Sequence, residues 1–578
     1  MPRRSGPVHV AKIVTRKNGR EHVSYLLRRG YRDGATVRHE TLGNISHLSP
    51  RLIEVVRRGL AGDELLIAND VLTTTRSLPH GQVEAVLGTI RRLGLETILA
   101  SRPCRERDLV VALIAGRLIR PCSKLASVRM WRSTTLAEEL GVQDATVDEL
   151  YAALDWLLAR KKRIETKLAR RHLSEGGVAL YDVSSSYYEG HHCSLAQFGY
   201  GRDGKKGLPI IVYGALTDRE GRPVGVDVYK GNTGDPTTVP DAVDKLRTQF
   251  GLERVVLVGD RGLLVQTRIK TLRQYPGIGW ISALRSQAIQ ALVAQGSLTR
   301  SALAEDQKLA EISSPDYPGE RLIACFNPAL AVERGRKREE LLAATEVELK
   351  KLEAEVGRRS KTPLSAQAIA LKLGRITQRS KVAKHFETSI EEGGFRWQRR
   401  EQTIAREVDL DGIYILRTSE TADVFSSSDV VRTYKSLAQV ERVFRSLKSV
   451  DLLIRPIHHW TENHVRAHIF LCLLSYYVQW EMKRALAPLL FADEDLSQAR
   501  ATRDPVAPAQ PSASARRKRS AQVREDGLAL HSFATLMMEL GTRCRTTYEV
   551  GSGEATQKFQ QLTQLTPLQA EAFRLLGL

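Results

Sequence analysis

The chain has no apolar run of 18 or more residues, so the sequence offers no bilayer-spanning helix. It has six cysteines (Cys104, Cys122, Cys193, Cys325, Cys472 and Cys544), far apart and with no Cys-x-x-Cys pair, so their spacing indicates neither a disulfide framework nor a zinc ribbon. The opening stretch Met1–Lys12 lacks the apolar core of a signal peptide, and no export is expected; the expected location is cytoplasmic, at the nucleoid. No internal repeat is visible. Acids are also in deficit, with 66 Asp+Glu against 87 Lys+Arg and a net charge of +21. A chain this basic usually meets a polyanion; nucleic acid is the first reading and a membrane surface the competing one. What is present is ordinary for a globular protein: 42% hydrophobic and 26% charged residues over 578 positions, or roughly four domains at about 150 residues each.

Residues 1–80 read as a basic β module. Val8–Thr15, His22–Arg29 and Ala35–Leu42 are rich in β-formers, and turns fall at Lys17–Arg20 and Arg32–Gly34. The first 60 residues hold 13 Lys/Arg against 4 Asp/Glu, which points to DNA contact beside the alternative of a solvated basic surface. Residues 81–173 look helical. Asp108–Arg120 is apolar on a helical period, and Thr146 to Glu149 form a capping box. A helix-turn-helix DNA-binding region and a packed helical linker fit equally. Residues 174–285 change to strand-strand-strand-helix-strand-helix-strand, the order of a mixed sheet flanked by helices. Residues 286–430 interrupt this as an insertion, β-rich toward its end. Residues 431–490 resume with one helix over Tyr434–Val450 and an apolar helix over His464–Ala485. Residues 491–527 read as a disordered basic linker and 528–578 as a helical tail.

Three acids stand out. Asp182 and Asp260 each directly follow an apolar run, Ala179-Leu180-Tyr181 and Leu257-Val258-Gly259. A carboxylate there is costly unless it is solvated, paired or holding a cation. Two such acids on neighbouring strands fit a shared Mg²⁺ site, because Mg²⁺ takes carboxylate oxygens and phosphate. The third, Glu441, lies on the Tyr434–Val450 helix. Tyr434, Lys448 and Arg445 fall near it on the helical wheel, beside an apolar arc of Leu437, Val440, Phe444 and Leu447. An ordinary N-cap for either Asp and a salt-bridged surface helix for Glu441 remain the plain alternatives.

With these residues in place, the sequence resembles bacterial insertion-sequence DDE transposases that carry a Tyr-x2-Arg-x3-Glu-x6-Lys signature. Tyr434, Glu441 and Lys448 match it, and Leu437 stands where the signature has Arg. Arg445, one turn past Glu441, is the candidate substitute for that phosphate contact. Tyr181–Glu189, Gly199–Pro209, Gly231–Asp235, Gly259–Gly262 and Asp409–Arg417 also match family segments, in order. The resemblance implies an α/β fold with an RNase H-like mixed-sheet catalytic core, split by a β-containing insertion and preceded by the N-terminal β module and the helical region. It implies two Mg²⁺ ions (or Mn²⁺) held by Asp182, Asp260 and Glu441, with Tyr434 and Lys448 on the terminal phosphate. The implied activity is binding of double-stranded DNA at terminal inverted repeats, cleavage, and joining of 3′-OH ends to target DNA by in-line transfer. Synapsis of two ends implies at least a homodimer, and no membrane partner is expected.

Two other functions fit the residues. One is a metal-dependent nuclease or resolvase without strand transfer; the other is a transposase-derived DNA-binding regulator. Gly199-x-Gly201-x-x-Gly204 matches a dinucleotide fingerprint, but the segment after it reads as a strand rather than the helix the fingerprint needs. His464 and His468, four apart without an acid or Cys nearby, read as a core pair, and His191-His192-Cys193 as a loop. Trp397, among Arg396, Arg399 and Arg400, reads as a core residue rather than a base-stacking one.

Overall fold

The computed structural model describes residues 6–17, 20–63, 72–298, 308–359, 361–379, 381–494, 498, 501–550 and 557–578. They form two compact units: the chain up to Leu78 with Cys544–Thr563, and Pro79–Arg543 with Gln564–Leu578.

In the first unit, β1 (Val8–Lys17), β2 (Arg20–Asp33) and β3 (Thr36–Asn44) form an antiparallel sheet in that order. Gly34, at φ +62°, makes the β2–β3 turn expected at Arg32–Gly34. The other expected turn, at Asn18-Gly19, lies outside the described residues. Helix α1 (Pro50–Ala61) begins where the Ser49 hydroxyl accepts the Leu52 N–H and stops at left-handed Gly62. Strand β4 (Leu72–Pro79) closes this stretch.

The second unit opens with helices that include α2 (Arg105–Ile119), α3 (Lys124–Trp131) and α4 (Val147–Ala159). Every residue from Leu109 to Leu118 is buried, as expected of a helix apolar on all sides, and α2 packs on α4. The capping box at Thr146 and Glu149 starts α4.

The sheet follows, with β5 (Gly177–Tyr187), β6 (Ile210–Asp218), β7 (Pro223–Lys230), β8 (Val255–Val258) and β9 (Ile278–Ala283). Their order is β7-β6-β5-β8-β9; the first three are antiparallel, and β8 and β9 run parallel to β5. Every residue of β6, β8 and β9 is buried, which is why these segments read as mainly apolar runs. Strand β5 extends to Tyr187, so Asp182 lies inside it and not after it. Polar Ser184, Ser185 and Ser186 hid the continuation; they are buried and paired with β6.

The stretch 286–430 is not one separate insertion. Strands β10 (Leu309–Ile312) and β11 (Arg321–Phe326) leave and return to the sheet. Then α5 (Pro328–Arg358), α6 (Ala366–Arg379), the hairpin β12 (Phe386–Glu391) and β13 (Gly394–Arg399), and α7 (Glu401–Val408) pack around their own core of Leu342, Leu349, Ile369, Phe386 and Phe395. Strand β14 (Ile413–Thr418) re-enters the sheet between β11 and β9, giving eight strands. Only about 328–408 stands outside the sheet, and most of it is helical.

The helix expected over 434–450 is broken. α8 (Ser427–Lys435) ends at Ser436, whose hydroxyl donates back to the Arg432 carbonyl at 3.2 Å, a bond that competes with the helical ladder. α9 (Leu437–Arg445) follows, then a widened turn over Ser446–Val450. α10 (Glu462–Ala485) is buried along most of its length between α2, α4 and β7.

Two further expectations are corrected. Ala513–Ala521, placed in a disordered linker, is a helix; Lys518 donates to the carbonyls of Ala487, Leu490 and Ala492 and pairs with Glu494. The tail is helical at Phe533–Gly541 and Pro567–Leu576, but between them β15 (Cys544–Val550) and β16 (Gln557–Leu562) form a three-stranded sheet with β4 in the first unit.

Candidate active site

Parallel pairing sets the first two acids. β5 and β8 pair from Gly177–Val255 to Leu180–Val258. Two residues further on along each chain stand Asp182 and Asp260. Leu180 and Val258 belong to the same core cluster as Val440, Val443 and Phe444 of α9, so they point to the face that α9 covers. A strand alternates faces, so Asp182 points the same way. The opposite face is packed by Ala179, Tyr181, Val255 and Leu257.

Helix α9 lies on β5 and β6, and the Phe444 and Tyr213 ring centroids are 5.8 Å apart. Its buried stripe is Leu437, Val440, Val443 and Phe444, which leaves Glu441 exposed beside it. The Asp182 carboxyl records the result. Burial first, then the negative charges of Asp260 and Glu441, push it up to about 7, against a Val183 N–H bond at 2.8 Å and the Arg202 charge. Tyr434, on α8, faces the same acids. Burial and then Asp260, Glu441 and Asp182 push its phenol up to about 12, so it stays a proton donor at neutral pH.

Asp260 is held by its own turn. Its Oδ1 accepts the N–H groups of Gly262 and Leu263, each at 2.8 Å. A Cβ on Gly262 would lie 3.2 Å from that oxygen, which accounts for glycine two residues after the acid.

Of the cationic positions, Lys448 is buried and donates to Asp203 Oδ1 at 3.1 Å, and Arg455 reaches the same oxygen at 2.5 Å. Burial holds the Lys448 ammonium below its ordinary value, although Asp203 draws it up. Arg445 is exposed and borders a 510 Å³ cleft with Arg442, Lys483 and Arg484; among the described residues, none of the three acids borders it. Leu437, in the signature's Arg position, is buried at the start of α9. The cation that does face Asp182 is Arg202, which donates to the Val183 carbonyl and pairs with Asp235. Sequence reasoning matched the two segments holding Arg202 and Asp235 without singling out either residue. Their cue is position, in loops that flank strands β6 and β7.

His468 is a buried core residue bonded to the Ile454 carbonyl at 3.2 Å, and His464 lies 3.4 Å from Asp155. Trp397 stacks edge-on against Phe386 and donates to Glu353. Segment 210–218, after the glycine-rich stretch, is a strand, so no dinucleotide fingerprint forms.

The donor set suits a hard divalent cation, because its side chains are carboxylates whose mutual repulsion a cation relieves. Among the described residues, no group of three or more His, Cys, Asp or Glu is gathered tightly enough to hold a metal ion.

The model described as a transposase DDE domain matches residues 174–478, the stretch that holds the mixed sheet and α9. The match covers more than half of the chain, and the chain belongs to the insertion-sequence DDE transposases; the model for the IS1634 family transposase N-terminal domain matches residues 11–65. No curated protein matches it. Among solved structures, it is similar to one titled "Cryo-EM structure of piggyBac transposase synaptic complex with hairpin DNA (SNHP)", with 10% identity, a TM-score of 0.32, and coverage of 79% of this chain and 76% of that one.

Proposed function

We propose that this transposase cuts DNA at the ends of its element and joins the freed 3′-OH ends to target DNA, using Asp182, Asp260 and Glu441 to hold divalent ions, Mg²⁺ or Mn²⁺. The observation that carries this reading is geometric: Asp182 and Asp260 each stand two residues beyond the last pair of the parallel strands β5 and β8, at the end of the face covered by α9, the helix that bears Glu441. The strand order β7-β6-β5-β8-β9, antiparallel then parallel, supports an RNase H-like core. When bound, paired divalent ions supply activation of the attacking oxygen and stabilisation of the leaving oxygen in an in-line displacement.

The chain's own residues do the rest. Tyr434, kept protonated, donates its O–H to a phosphate oxygen at the acids. Lys448 supplies a point charge on the same strand once Asp203 shares it. Arg202 steadies β5 through the Val183 carbonyl and opposes the charge on Asp182. The basic sheet β1–β3 contacts the DNA duplex through phosphates, a term that weakens with salt. Two ends require two chains, hence a homodimer on the inverted repeats. Among the described residues, no helix is long and apolar enough to cross a membrane.

The test is a pair of assays on the full chain with end-sequence DNA. Glu441→Gln should abolish both cleavage of intact ends and joining of pre-cleaved ends. If the unaltered chain cleaves and never joins pre-cleaved ends, the nuclease reading replaces this one. If Glu441→Gln leaves both activities intact, the acid cluster is not the active site.

A further inference from the structure

A second charged site lies away from the three acids, between the helical layer and the loop before α10. Lys124, the first residue of α3, is 5% exposed, and among the described residues no hydrogen bond or carboxylate partners it. It borders a 340 Å³ cavity together with Arg117, Ser123, Tyr151 and His459. Arg117, also buried, spends its guanidinium on the carbonyls of Leu452 (3.2 Å) and Leu453 (3.4 Å). That bond fixes the loop carrying His459, in which Leu453 sits at φ +44°, a conformation that costs a leucine and needs such a restraint.

Among the described residues no acid lines the cavity, and the acids that reach cations and histidines of the neighbouring segments are engaged with them. Asp203 takes Arg455 and Lys448, Asp155 faces His464 at 3.4 Å, and Glu189 faces His458 at 3.9 Å. None is left for Lys124. An ammonium buried without a partner is expensive, and Lys124 shows it: burial first, then the Arg117 charge, lower it to about 7. His459 is held to about 3 by burial and then by Lys124, His464, Arg117 and His458. The cavity lining holds the cations Lys124, Arg117 and Arg455 and, among the described residues, no carboxylate, and one anion would offset them. The start of α3 adds its positive dipole end, with Ser123 as its cap.

We propose that this cavity binds a phosphate group, with Lys124 as the point charge and His459 as the hydrogen-bonding imidazole. The phosphate is the 5′-terminal one of a DNA strand. Arg455 borders the cavity and shares Asp203 with Lys448, so a strand held near Lys448 passes the mouth of the cavity. Tyr151 and His459, with ring centroids 6.0 Å apart, give that strand's sugar or base an aromatic wall.

The experiment is calorimetric titration of the full chain in EDTA, which keeps the three acids free of metal and so makes the outcome independent of the proposed catalysis. One arm uses inorganic phosphate. The other uses a short single-stranded oligonucleotide bearing a 5′-phosphate or a 5′-hydroxyl. The unaltered chain should bind phosphate and should prefer the 5′-phosphorylated strand. Lys124→Met, which keeps the aliphatic volume, should weaken both by at least about tenfold, the loss of one charge-assisted bond. Binding of inorganic phosphate with no preference between the two strands would make the site one for free phosphate and overturn the DNA assignment. Should Lys124→Met not fold, His459→Gln, at a half-buried position, should weaken the same binding. No phosphate binding by the unaltered chain, or binding left unchanged by whichever of these variants folds, would overturn the site itself.

Discussion

Asp182 and Asp260 each stand two residues beyond the last couple of a parallel pair of strands, Leu180 opposite Val258. Parallel pairing puts equivalent residues side by side, so the register that buries Leu180 and Val258 under α9 also sets both carboxylates at one end of that apolar face. The cost of gathering charge there falls on Asp182, the acid inside a strand.

That cost has a pH signature. The ordinary value for Asp is 3.8, and the folded chain raises Asp182 to about 7. Between about pH 4 and pH 7 the folded state therefore holds a proton that the unfolded state has released, so stability falls as pH rises through this window. At pH 8, without metal, the full penalty is present, at most about 4 kcal/mol. Asp182→Asn should accordingly be more stable than the unaltered chain at pH 8 in EDTA and no more stable at pH 4. Denaturant melts at the two pH values check this; a variant less stable at pH 8 would show that Asp182 is not a strained acid. Mg²⁺ should recover stability in the unaltered chain only.

Leu437 marks where this chain departs from the family signature. A sequence view allows an arginine there, because the wheel places it beside Tyr434 and Glu441. The structure buries it at the first turn of α9, against the core that seats the helix. Leu437→Arg should cost about 2–4 kcal/mol by burying a charge without a partner. Thermal unfolding and end cleavage measured on the same preparation separate the outcomes. A stable, more active variant would mean that α9 can turn to present position 437 to DNA.

How much of this was visible in the sequence depended on what each segment could reveal locally. The sheet order in 174–285 was legible because β6, β8 and β9 are buried on both faces and so are mostly apolar, with Thr217, Asp218 and Ser282 the polar exceptions. The far end of β5 was not, since three serines there carry no hydrophobic signal although Ser186 is satisfied by the Tyr213 hydroxyl at 2.9 Å. Asp182 and Asp260 stood out by their position after apolar runs, although Asp182 lies inside β5 and only Asp260 follows its strand; Arg202 and Asp235 did not stand out, because an ion pair between segments 33 residues apart leaves no periodic trace. The return of β10, β11 and β14 to the main sheet was hidden for the same reason: pairing across about 100 residues is a tertiary fact. Lys518 reads as one more charge in a basic run, yet it satisfies three carbonyls and orders its helix.

Gly262 is a second, narrower test of the acid pair. Its N–H donates to Asp260 Oδ1 at 2.8 Å, and an added Cβ would sit 3.2 Å from that oxygen and 3.5 Å from Oδ2. The carboxylate must shift by a few tenths of an ångström to make room. Gly262→Ala should keep the fold and weaken Mg²⁺-dependent stabilisation by roughly tenfold in metal concentration, the scale of a disturbed ligand support. Titrating Mg²⁺ against the melting temperature reads this directly, and an unchanged midpoint would detach Asp260 from the metal.

Asp203 decides how Lys448 is used. One carboxylate oxygen holds both Lys448, at 3.1 Å, and Arg455, at 2.5 Å, and all three side chains are mostly buried. As long as Asp203 is charged, the Lys448 ammonium is shared, and a phosphate that reaches it must compete with that bond. Asp203→Asn keeps the shape and removes the charge. Two buried cations then face each other with only an amide between them, so the free protein should lose about 1–3 kcal/mol, less than the full cost of a broken buried pair because the amide oxygen still accepts. With DNA bound the sign reverses, because the strand's phosphate replaces the missing carboxylate and meets two unpaired cations. The variant should therefore melt earlier alone, bind end DNA more tightly at low salt, and show a steeper loss of affinity as salt rises, since it neutralises about one more phosphate. Binding isotherms at several salt concentrations check this. Weaker DNA binding with an unchanged salt slope would show that Lys448 never leaves Asp203 and serves only to hold the loop.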